Sequence, residues 1–303
     1  MINRWIASIL SYMPEKFVWL FSKRYISGKT SQDALRVIRS LKEKNIVATL
    51  DVLGEEIENT SQAINYRNQY FNIIDEVAAA GLDATFSLKP TMFGLLFDEN
   101  LCEQCIREII IAAKKYDFQV TLDMEDSKCT DKEIELYKKL YKEFPDHTGF
   151  VLQACLKRTL SDLEYLNRFS LPNHPHHIRI CKGIYKEPAA IAYKEKKDVR
   201  NNFLQCVEYM FENNFFPAIA THDDFLVEKS IKLKDLYKKS NYAFEFQMLY
   251  GVTPKLRSML VNKGFKVRVY IPFGEQWFRY ATRRLRENPH MVWDIISALI
   301  VRK

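Results

Sequence analysis

Two adjacent arginines near the end of the chain have the spacing of a carboxylate-binding site. Tyr280 precedes Arg283 and Arg284 by three and four residues, and Glu287 follows them by four and three. On a helix this spacing places the tyrosine and the glutamate beside both guanidinium groups. Paired guanidinium groups bind a carboxylate through forked, charge-assisted hydrogen bonds. A solvated basic helix face is the alternative interpretation of the same residues.

A second set of polar residues lies where predicted strands end. These residues are Asp51, Lys89, Asp123, Gln153, Arg179, Lys182, Thr221, His222, Asp223, Glu245, Gln247 and Tyr270. In a parallel barrel the carboxyl ends of the strands form one face, and catalytic groups gather there. Core packing alone would favour Val, Ile or Leu at most of these positions. Buried charges must pair with each other or with a charged ligand, so the sequence predicts a polar cup that binds a charged molecule.

Alternating strands and helices predict the scaffold that positions these groups. Eight β-branched runs are interpreted as strands, with the bounds 46–53, 83–88, 119–122, 150–153, 178–181, 216–220, 242–247 and 266–270. Amphipathic helical segments between them include 61–80, 99–116, 131–144 and 187–213. Such alternation implies parallel strands with right-handed crossovers, and eight units close a (β/α)8 barrel. A doubly wound open sheet is the alternative, but no glycine trio has the G-x-G-x-x-G spacing of its nucleotide-binding turn.

Composition and length are those of an ordinary globular protein. The chain has 303 residues, of which 47% are hydrophobic and 27% charged. We expect residues 1–44 to form a helical arm of short helices docked on a barrel of residues 45–303, which ends in an amphipathic helix at 291–303. Contact with a membrane surface is the alternative for the arm and for this last helix. The net charge of +7 suits an anionic ligand, and no zinc-finger or aromatic RNA-binding pattern indicates a nucleic-acid partner.

Cysteine and histidine usage indicates a reduced, cytoplasmic protein without a metal site. Six cysteines are present, mostly inside predicted helices and strands, which is typical of free thiols. Cys102 and Cys105 have ligand-like spacing without a second pair, so packing is the favoured interpretation. His174, His176 and His177 likewise lack a companion ligand pattern. The sequence has no apolar run long enough to span a bilayer and no secretion signal at its amino terminus.

Six short motifs occur in order along the chain. They are Leu122-Asp123-Met124-Glu125, Leu152-Gln153-Ala154, Arg179-Ile180-Cys181-Lys182-Gly183, Thr221-His222-Asp223, Phe244–Gly251 and Tyr270–Pro289. Together they resemble proline dehydrogenase in its compact, single-function bacterial form, over residues 51–289. That family folds as a distorted (β/α)8 TIM-type barrel that binds FAD at the carboxyl ends of its strands. The resemblance implies oxidation of L-proline to Δ1-pyrroline-5-carboxylate, with hydride passing from C5 to flavin N5 and electrons leaving to a membrane quinone.

The resemblance also implies how the substrate is bound. The implied substrate-binding residues are Lys89, Tyr270, Tyr280, Arg283 and Arg284. The arginines and the lysine would bind the proline carboxylate, Glu287 would hold the arginine pair, and the tyrosines would pack over the ring. Asp51 would be a distal gate or an ion-pair partner. Relatives that act on hydroxyproline carry a smaller residue at the position of Tyr270, so we expect selectivity for proline.

Catalytic and cofactor-binding roles follow from the same resemblance. Asp123 would lie at the reactive edge of the flavin, and Arg179 would hydrogen-bond near N5 and stabilise negative charge on the reduced ring. The other implied cofactor-binding residues are Met124, Gln153, Lys182, Gly183, Ile184, Thr221 and His222. Gln153 would meet the isoalloxazine edge. The residues from Lys182 to Ile184, with Thr221 and His222, would hold the ribityl, phosphate and adenylate parts.

Two departures from larger relatives and two other functions complete the interpretation. We expect no second catalytic domain after Pro289, and therefore a separate pyrroline-5-carboxylate dehydrogenase, and we expect no DNA-binding segment before the barrel. A cytoplasmic protein with peripheral contact at the inner face of the cell membrane is expected. Another barrel flavoprotein, or a carboxylate-handling lyase using Lys89 as a Schiff-base amine, is one alternative. For the lyase, Asp51 and Asp123 would favour the charged lysine. A non-catalytic binding protein is the other.

Overall fold

A closed barrel of eight parallel strands forms the centre of the protein. The computed structural model describes the backbone of residues 15–54 and 57–287. The strands are β1 Val47–Val52, β2 Ala84–Leu88, β3 Val120–Leu122, β4 Thr148–Gln153, β5 His176–Cys181, β6 Phe215–Ala220, β7 Glu245–Leu249 and β8 Val267–Phe273. Each pairs in parallel with the next, and β1 closes onto β8 with Val47 opposite Arg268. The predicted (β/α)8 fold class is confirmed.

Helices alternate with the strands and surround the barrel. They are α1 Glu15–Ser22, α2 Ser31–Lys42, α3 Thr60–Ala79, α4 Glu99–Lys114, α5 Thr130–Glu143, α6 Thr159–Asn167, α7 Lys196–Glu212, α8 Asp224–Leu236, α9 Pro254–Asn262 and α10 Trp277–Glu287, with a 3-10 helix at Pro90–Phe93. Local signals fix several starts. Thr30 and Asp33 form a reciprocal capping box at α2, and the side chains of Asn59 and Asp98 cap α3 and α4.

The two faces of the strands differ in chemistry. The outward face packs apolar side chains against the helices, and Leu50, Phe86, Phe150 and Phe246 are completely buried there. The inward face, which lines the barrel lumen, carries polar or small residues at alternate positions. Parallel barrels usually fill this lumen with Val, Ile and Leu. A polar lumen therefore needs hydrogen bonds in place of apolar packing.

Two predicted starts are wrong by three residues or more, one because of a local turn and the other because of a tertiary contact. The predicted end of β8 at 270 is also wrong, since the strand continues to Phe273. β7 begins at Glu245 rather than at 242, because Tyr242 lies in a turn in which the Ala243 N–H donates to the Ser240 carbonyl at 3.2 Å. The helix predicted to start at 187 begins at Lys196. The carboxylate of Glu187 instead accepts hydrogen bonds from Ser127, and the segment that follows it is held in turns.

Helix α1 packs against α10, so the amino-terminal arm contacts the last described helix. The rings of Trp19 and Trp277 meet edge to face, with centroids 4.8 Å apart, and Val18 and Tyr280 belong to the same buried cluster. The N–H of Ser27 donates to the carbonyl of Pro272 in β8 at 3.0 Å. The docking predicted for the arm thus holds for residues 15–42. Residues 1–14 and the predicted helix at 291–303 lie outside the described residues, and the domain boundary at 44/45 stays a prediction.

Within the ranges 15–54 and 57–287 we find no helix whose length and apolar character would let it cross a membrane. The six cysteines are free thiols. Cys102 and Cys105 are buried in the core between α4 and the barrel, and the Cys102 thiol donates to the carbonyl of Pro90 at 3.3 Å. Cys102 and Cys105 therefore pack in the core, which is the interpretation that their spacing favoured.

Candidate active site

Asp123, at the carboxyl end of β3, joins residues from three other strands. Its Oδ1 accepts hydrogen bonds from Arg179 Nη1 at 2.6 Å and from Ser87 Oγ at 2.5 Å. Its Oδ2 accepts one from the hydroxyl of Tyr270 at 2.9 Å and lies 3.7 Å from Lys89 Nζ. Four donors thus converge on one carboxylate at the mouth of the barrel. Catalytic groups occupy this end in parallel barrels.

Lys89 lies between two carboxylates. Its Nζ is 2.9 Å from Oδ1 of Asp51, which is completely buried. Burial lowers the pKa of Lys89, but the carboxylates of Asp51 and Asp123 outweigh it and leave that pKa above its ordinary value. The lysine is therefore an ammonium ion at neutral pH. Burial also raises the pKa of Asp51, against the opposing charge of Lys89.

Arg179 carries an unsatisfied donor. Its Nε donates to Gln247 Oε1 at 2.6 Å, and its Cζ lies 5.3 Å from the centroid of the Tyr270 ring. Its Nη2 is buried and has no hydrogen-bond partner. A buried N–H group without an acceptor costs about 1–3 kcal/mol, so a ligand that offers an acceptor here would bind favourably. Burial, reinforced by the Asp123 carboxylate, raises the pKa of Tyr270 and keeps its phenol a donor.

We call Asp51, Lys89, Asp123, Arg179 and Tyr270 the charged cluster. These five residues come from strands β1, β2, β3, β5 and β8 or follow them directly. The sequence predicted that polar strand ends would share one face, and the contacts between these five residues agree with that prediction. For Asp51, the ion-pair alternative has a geometric basis, whereas the gating role stays a prediction.

The carboxyl ends of β4 and β5 lie next to the charged cluster. Gln153 is buried, and its amide nitrogen donates to the carbonyl of Glu125 at 2.7 Å, which holds the loop that contains Met124. Gly183 has φ +90°, and a Cβ at this position would lie 2.3 Å from the Cys155 sulphur. Only glycine fits there without a shift. Ile184 follows with an exposed side chain.

Thr221, His222 and Asp223 follow β6 and form a polar edge. Asp223 accepts hydrogen bonds from Arg200 at 3.0 and 2.6 Å and lies 3.4 Å from Lys182 Nζ. The hydroxyl of Thr221 accepts the backbone N–H of Asp223 at 3.1 Å. His222 Nε2 accepts the N–H of the last β7 residue at 2.9 Å, which fixes the ring. Lys182 and Arg200 thus place two cations beside this edge.

The helix predicted to carry the carboxylate-binding arginines is α10, Trp277–Glu287. Tyr280 is buried beneath the amino-terminal arm and is close enough to influence the pKa of Lys89. Arg283, Arg284 and Glu287 lie in α10 by their backbone. Their side chains lie outside the described residues, so the arginine site stays a prediction.

Sequence reasoning missed two residues that support the charged cluster, Ser87 and Arg268, and did not predict the partner of Glu245. Ser87 bridges Asp123 and Arg179, since its Oγ also accepts from Arg179 Nη1 at 2.9 Å. Glu245 and Arg268 form a buried ion pair at 2.6 Å beneath it. The available signal was the alternation of polar residues within strands, at Glu245 and Gln247 in β7 and at Arg268 and Tyr270 in β8. Period-two polarity in a buried strand indicates a polar lumen.

Fold and site together define a (β/α)8 barrel enzyme with ionised groups of both signs at its carboxyl-terminal mouth. A family model described as proline dehydrogenase matches residues 34–292. The chain belongs to the proline dehydrogenase family. Its fold and family are those of an oxidoreductase of proline catabolism.

Individual relatives agree with this membership. Proline dehydrogenase 1 from Bacillus subtilis subsp. natto is 33% identical over 281 residues, which cover 93% of this chain and 91% of that protein. Proline dehydrogenase from Deinococcus radiodurans is 33% identical over 287 residues, with the same coverage. The crystal structure of proline utilization A from Bdellovibrio bacteriovorus, inactivated by N-propargylglycine, superposes with a TM-score of 0.84 at 24% identity. The match covers 90% of this chain and 33% of that larger chain, and it bears on the fold alone.

Proposed function

We propose that this protein binds FAD at the carboxyl ends of its barrel strands and oxidises L-proline to Δ1-pyrroline-5-carboxylate. When bound, the flavin supplies the hydride acceptor, taking hydride from proline C5 at N5, and its electrons then pass to a quinone. The observation that carries the proposal is the charged cluster with its unsatisfied Arg179 donor. Family membership gives the reaction class.

The residues around the cluster fit a flavin nucleotide. Arg179 Nη2 is a buried donor without an acceptor, as a site for an electron-rich ring edge requires. Gly183 leaves room where a side chain would collide, and Lys182 provides a cation close to a phosphate path. Together with Met124, Gln153, Ile184, Thr221 and His222, these residues would hold the cofactor.

The chain's own groups have distinct roles in this proposal. Arg179 would be a fixed positive charge that stabilises electron density developing beside it, and Asp123 holds that guanidinium by accepting a hydrogen bond from Nη1 at 2.6 Å. Lys89, with Arg283 and Arg284, would bind the proline carboxylate, and Tyr270 and Tyr280 would exclude water from the ring. Among these residues, Asp123 and Arg179 would be catalytic.

The Schiff-base alternative for Lys89 requires a neutral amine. The two neighbouring carboxylates keep the pKa of Lys89 above its ordinary value, which is the opposite of what that chemistry needs. Borohydride reduction in the presence of substrate tests this point directly. A covalent lysine adduct found by mass spectrometry would favour the lyase, and its absence with flavin present would favour the oxidoreductase.

The decisive experiment is anaerobic addition of L-proline to the purified protein. The protein should be yellow, and its flavin absorbance should bleach with L-proline but not with D-proline. Proline deuterated at C5 should bleach the flavin more slowly than proline deuterated at C2. A colourless protein that cannot be loaded with FAD, or bleaching that is insensitive to C5 deuteration, would refute the proposal. A non-catalytic binding protein would give no bleaching at all.

Two partners belong to the same proposal and need separate tests. The electron acceptor would be a membrane quinone reached by peripheral contact at the inner face of the cell membrane, from a cytoplasmic protein. Reduction of a quinone in lipid vesicles, compared with a water-soluble dye acceptor, measures this. The product would pass to a separate pyrroline-5-carboxylate dehydrogenase, and co-purification of the two enzymes would support their association.

A further inference from the structure

A chain of hydrogen bonds runs from the charged cluster down into the barrel lumen. The amide oxygen of Gln247 accepts from Arg179 Nε at 2.6 Å, and its amide nitrogen donates to Glu245 Oε1 at 2.7 Å. Below it, Arg268 donates to both oxygens of Glu245, at 2.6 and 3.1 Å. All four side chains are buried. The chain therefore connects an ion pair deep in the lumen with the arginine of the candidate active site.

Glu245 determines which end of the Gln247 amide faces Arg179. Burial would raise the pKa of Glu245, but the guanidinium of Arg268 outweighs it and brings that pKa down to about 2. The residue is therefore a carboxylate at neutral pH, and a carboxylate only accepts hydrogen bonds. The NH2 group of Gln247 must point towards it. The amide oxygen then points towards Arg179. In a flipped amide, the NH2 group of Gln247 would face the Nε–H of Arg179, and both groups are donors.

The space beneath Arg179 makes this hydrogen bond necessary. A cavity of about 260 Å3 occupies the amino-terminal half of the lumen, and Arg179 and Gln247 form its upper end. Its walls include the small side chains of Thr85, Thr121 and Ala218. A packed lumen would hold the guanidinium by contact on this side. Here Gln247 supplies the fixed acceptor on that side.

We propose that Glu245 and Gln247 are positioning residues that set the place of Arg179 in the active site. Glu245 orients the Gln247 amide, and the amide holds Arg179 at the mouth of the barrel. Without this support Nε would lose its acceptor, and the guanidinium would be held by the hydrogen bonds from Nη1 to Asp123 and Ser87. The inference rests on the proposed function, because the position of Arg179 matters through the cofactor beside it.

Gln247→Met is the primary test. Methionine approximates the length of glutamine and removes both hydrogen bonds, while the Glu245–Arg268 pair remains. The midpoint potential of the bound FAD should become more negative, since the arginine stabilises the reduced cofactor less. Losing one hydrogen bond to a charged group corresponds to about a tenfold or larger fall in kcat. KM should change by less than about threefold, because the variant leaves the substrate-binding residues in place.

A double-variant cycle tests whether Glu245 acts through Gln247. Glu245→Gln should shift the potential in the same direction as Gln247→Met, because an amide at 245 no longer dictates the orientation of its neighbour. The double variant Glu245→Gln/Gln247→Met should then shift it no further than Gln247→Met alone. Additive shifts would overturn the relay. A flavin midpoint potential in Gln247→Met equal to that of the wild type would also overturn it.

Asp162→Asn is the matched control. Asp162 is also a buried carboxylate held by an arginine, with Arg158 Nε at 2.9 and 3.0 Å from its oxygens, but it lies on α6 outside the lumen. This variant should lower the midpoint of thermal unfolding without moving the flavin potential. If the protein binds FAD and oxidises proline but Gln247→Met changes neither the potential nor kcat, the inference is overturned and the proposed function stands. Failure to bind FAD overturns the proposed function, and the inference with it.

Discussion

Replacing Lys89 by methionine isolates the electrostatics of the charged cluster. The change leaves the Asp51 carboxylate, which is completely buried, without the ammonium group 2.9 Å away. An unpaired carboxylate in such a site takes up a proton instead of remaining charged. Methionine has nearly the length and flexibility of lysine, so the change in packing is small.

The free energy of that proton uptake sets an upper limit on the pH-dependent part of the loss of stability. A carboxyl group with an ordinary pKa of 3.8 is protonated at pH 7 at a cost of about 4 kcal/mol, since each pH unit contributes about 1.4 kcal/mol. At pH 5 the limit falls to about 1.6 kcal/mol. The folded variant holds a proton that the unfolded chain releases above pH 3.8, so the destabilisation grows as pH rises.

Urea unfolding at pH 5, 6 and 7 measures this dependence. The difference in free energy of unfolding between the wild type and Lys89→Met should shrink by up to about 1.4 kcal/mol for each unit of acidification. The control is Asp51→Asn/Lys89→Met, which lacks the completely buried carboxyl group of residue 51 and should show a difference that is independent of pH. Equal destabilisation by Lys89→Met at all three pH values would refute the reasoning.

Three further changes test other parts of the molecule. Tyr270→Ser should admit hydroxyproline by removing ring volume, and an unchanged ratio of kcat/KM for the two substrates would contradict this. Burial lowers the pKa of His176 to about 4, so the folded protein loses up to about 3 kcal/mol of stability as pH falls from 6.5 towards 4. His176→Phe should reduce this dependence of the free energy of unfolding on pH, measured by urea unfolding. An unchanged dependence would exclude His176 as its source. Trp277→Ala should cost about 3–5 kcal/mol and raise KM for proline as α10 loses its contact with Trp19, whereas wild-type stability would show that the arm does not hold α10.

The repeating elements were predictable because each one is encoded locally. The mostly apolar run of β1 lies between helix-period segments, and capping residues such as Thr30 mark where helices begin. The wrong start of α7 has a different origin. The 187–195 segment has helical periodicity, but Glu187 gains two hydrogen bonds from Ser127, a residue that sequence periodicity cannot associate with it.

The candidate site was predictable as a set of polar strand ends and not as a network. The types and positions of Asp123 and Arg179 follow from the sequence pattern and from the family resemblance. Their connection through Ser87 does not, because a serine within a strand has no distinctive local signal. The same is true of Glu245 and Arg268, whose pairing depends on the register between β7 and β8.

The closure of β1 onto β8 has a consequence for biosynthesis. Arg268 Nη1 donates to the carbonyl of Ala48, which is 220 residues earlier in the chain. At about 5–20 residues per second, a ribosome adds those residues in about 10–40 s, and β1 has no partner on that edge throughout this interval. An unpaired strand edge is a template for aggregation. Joining the first strand to the last is therefore a late event in the cell, and nascent chains interrupted before residue 267 are those that most need chaperones.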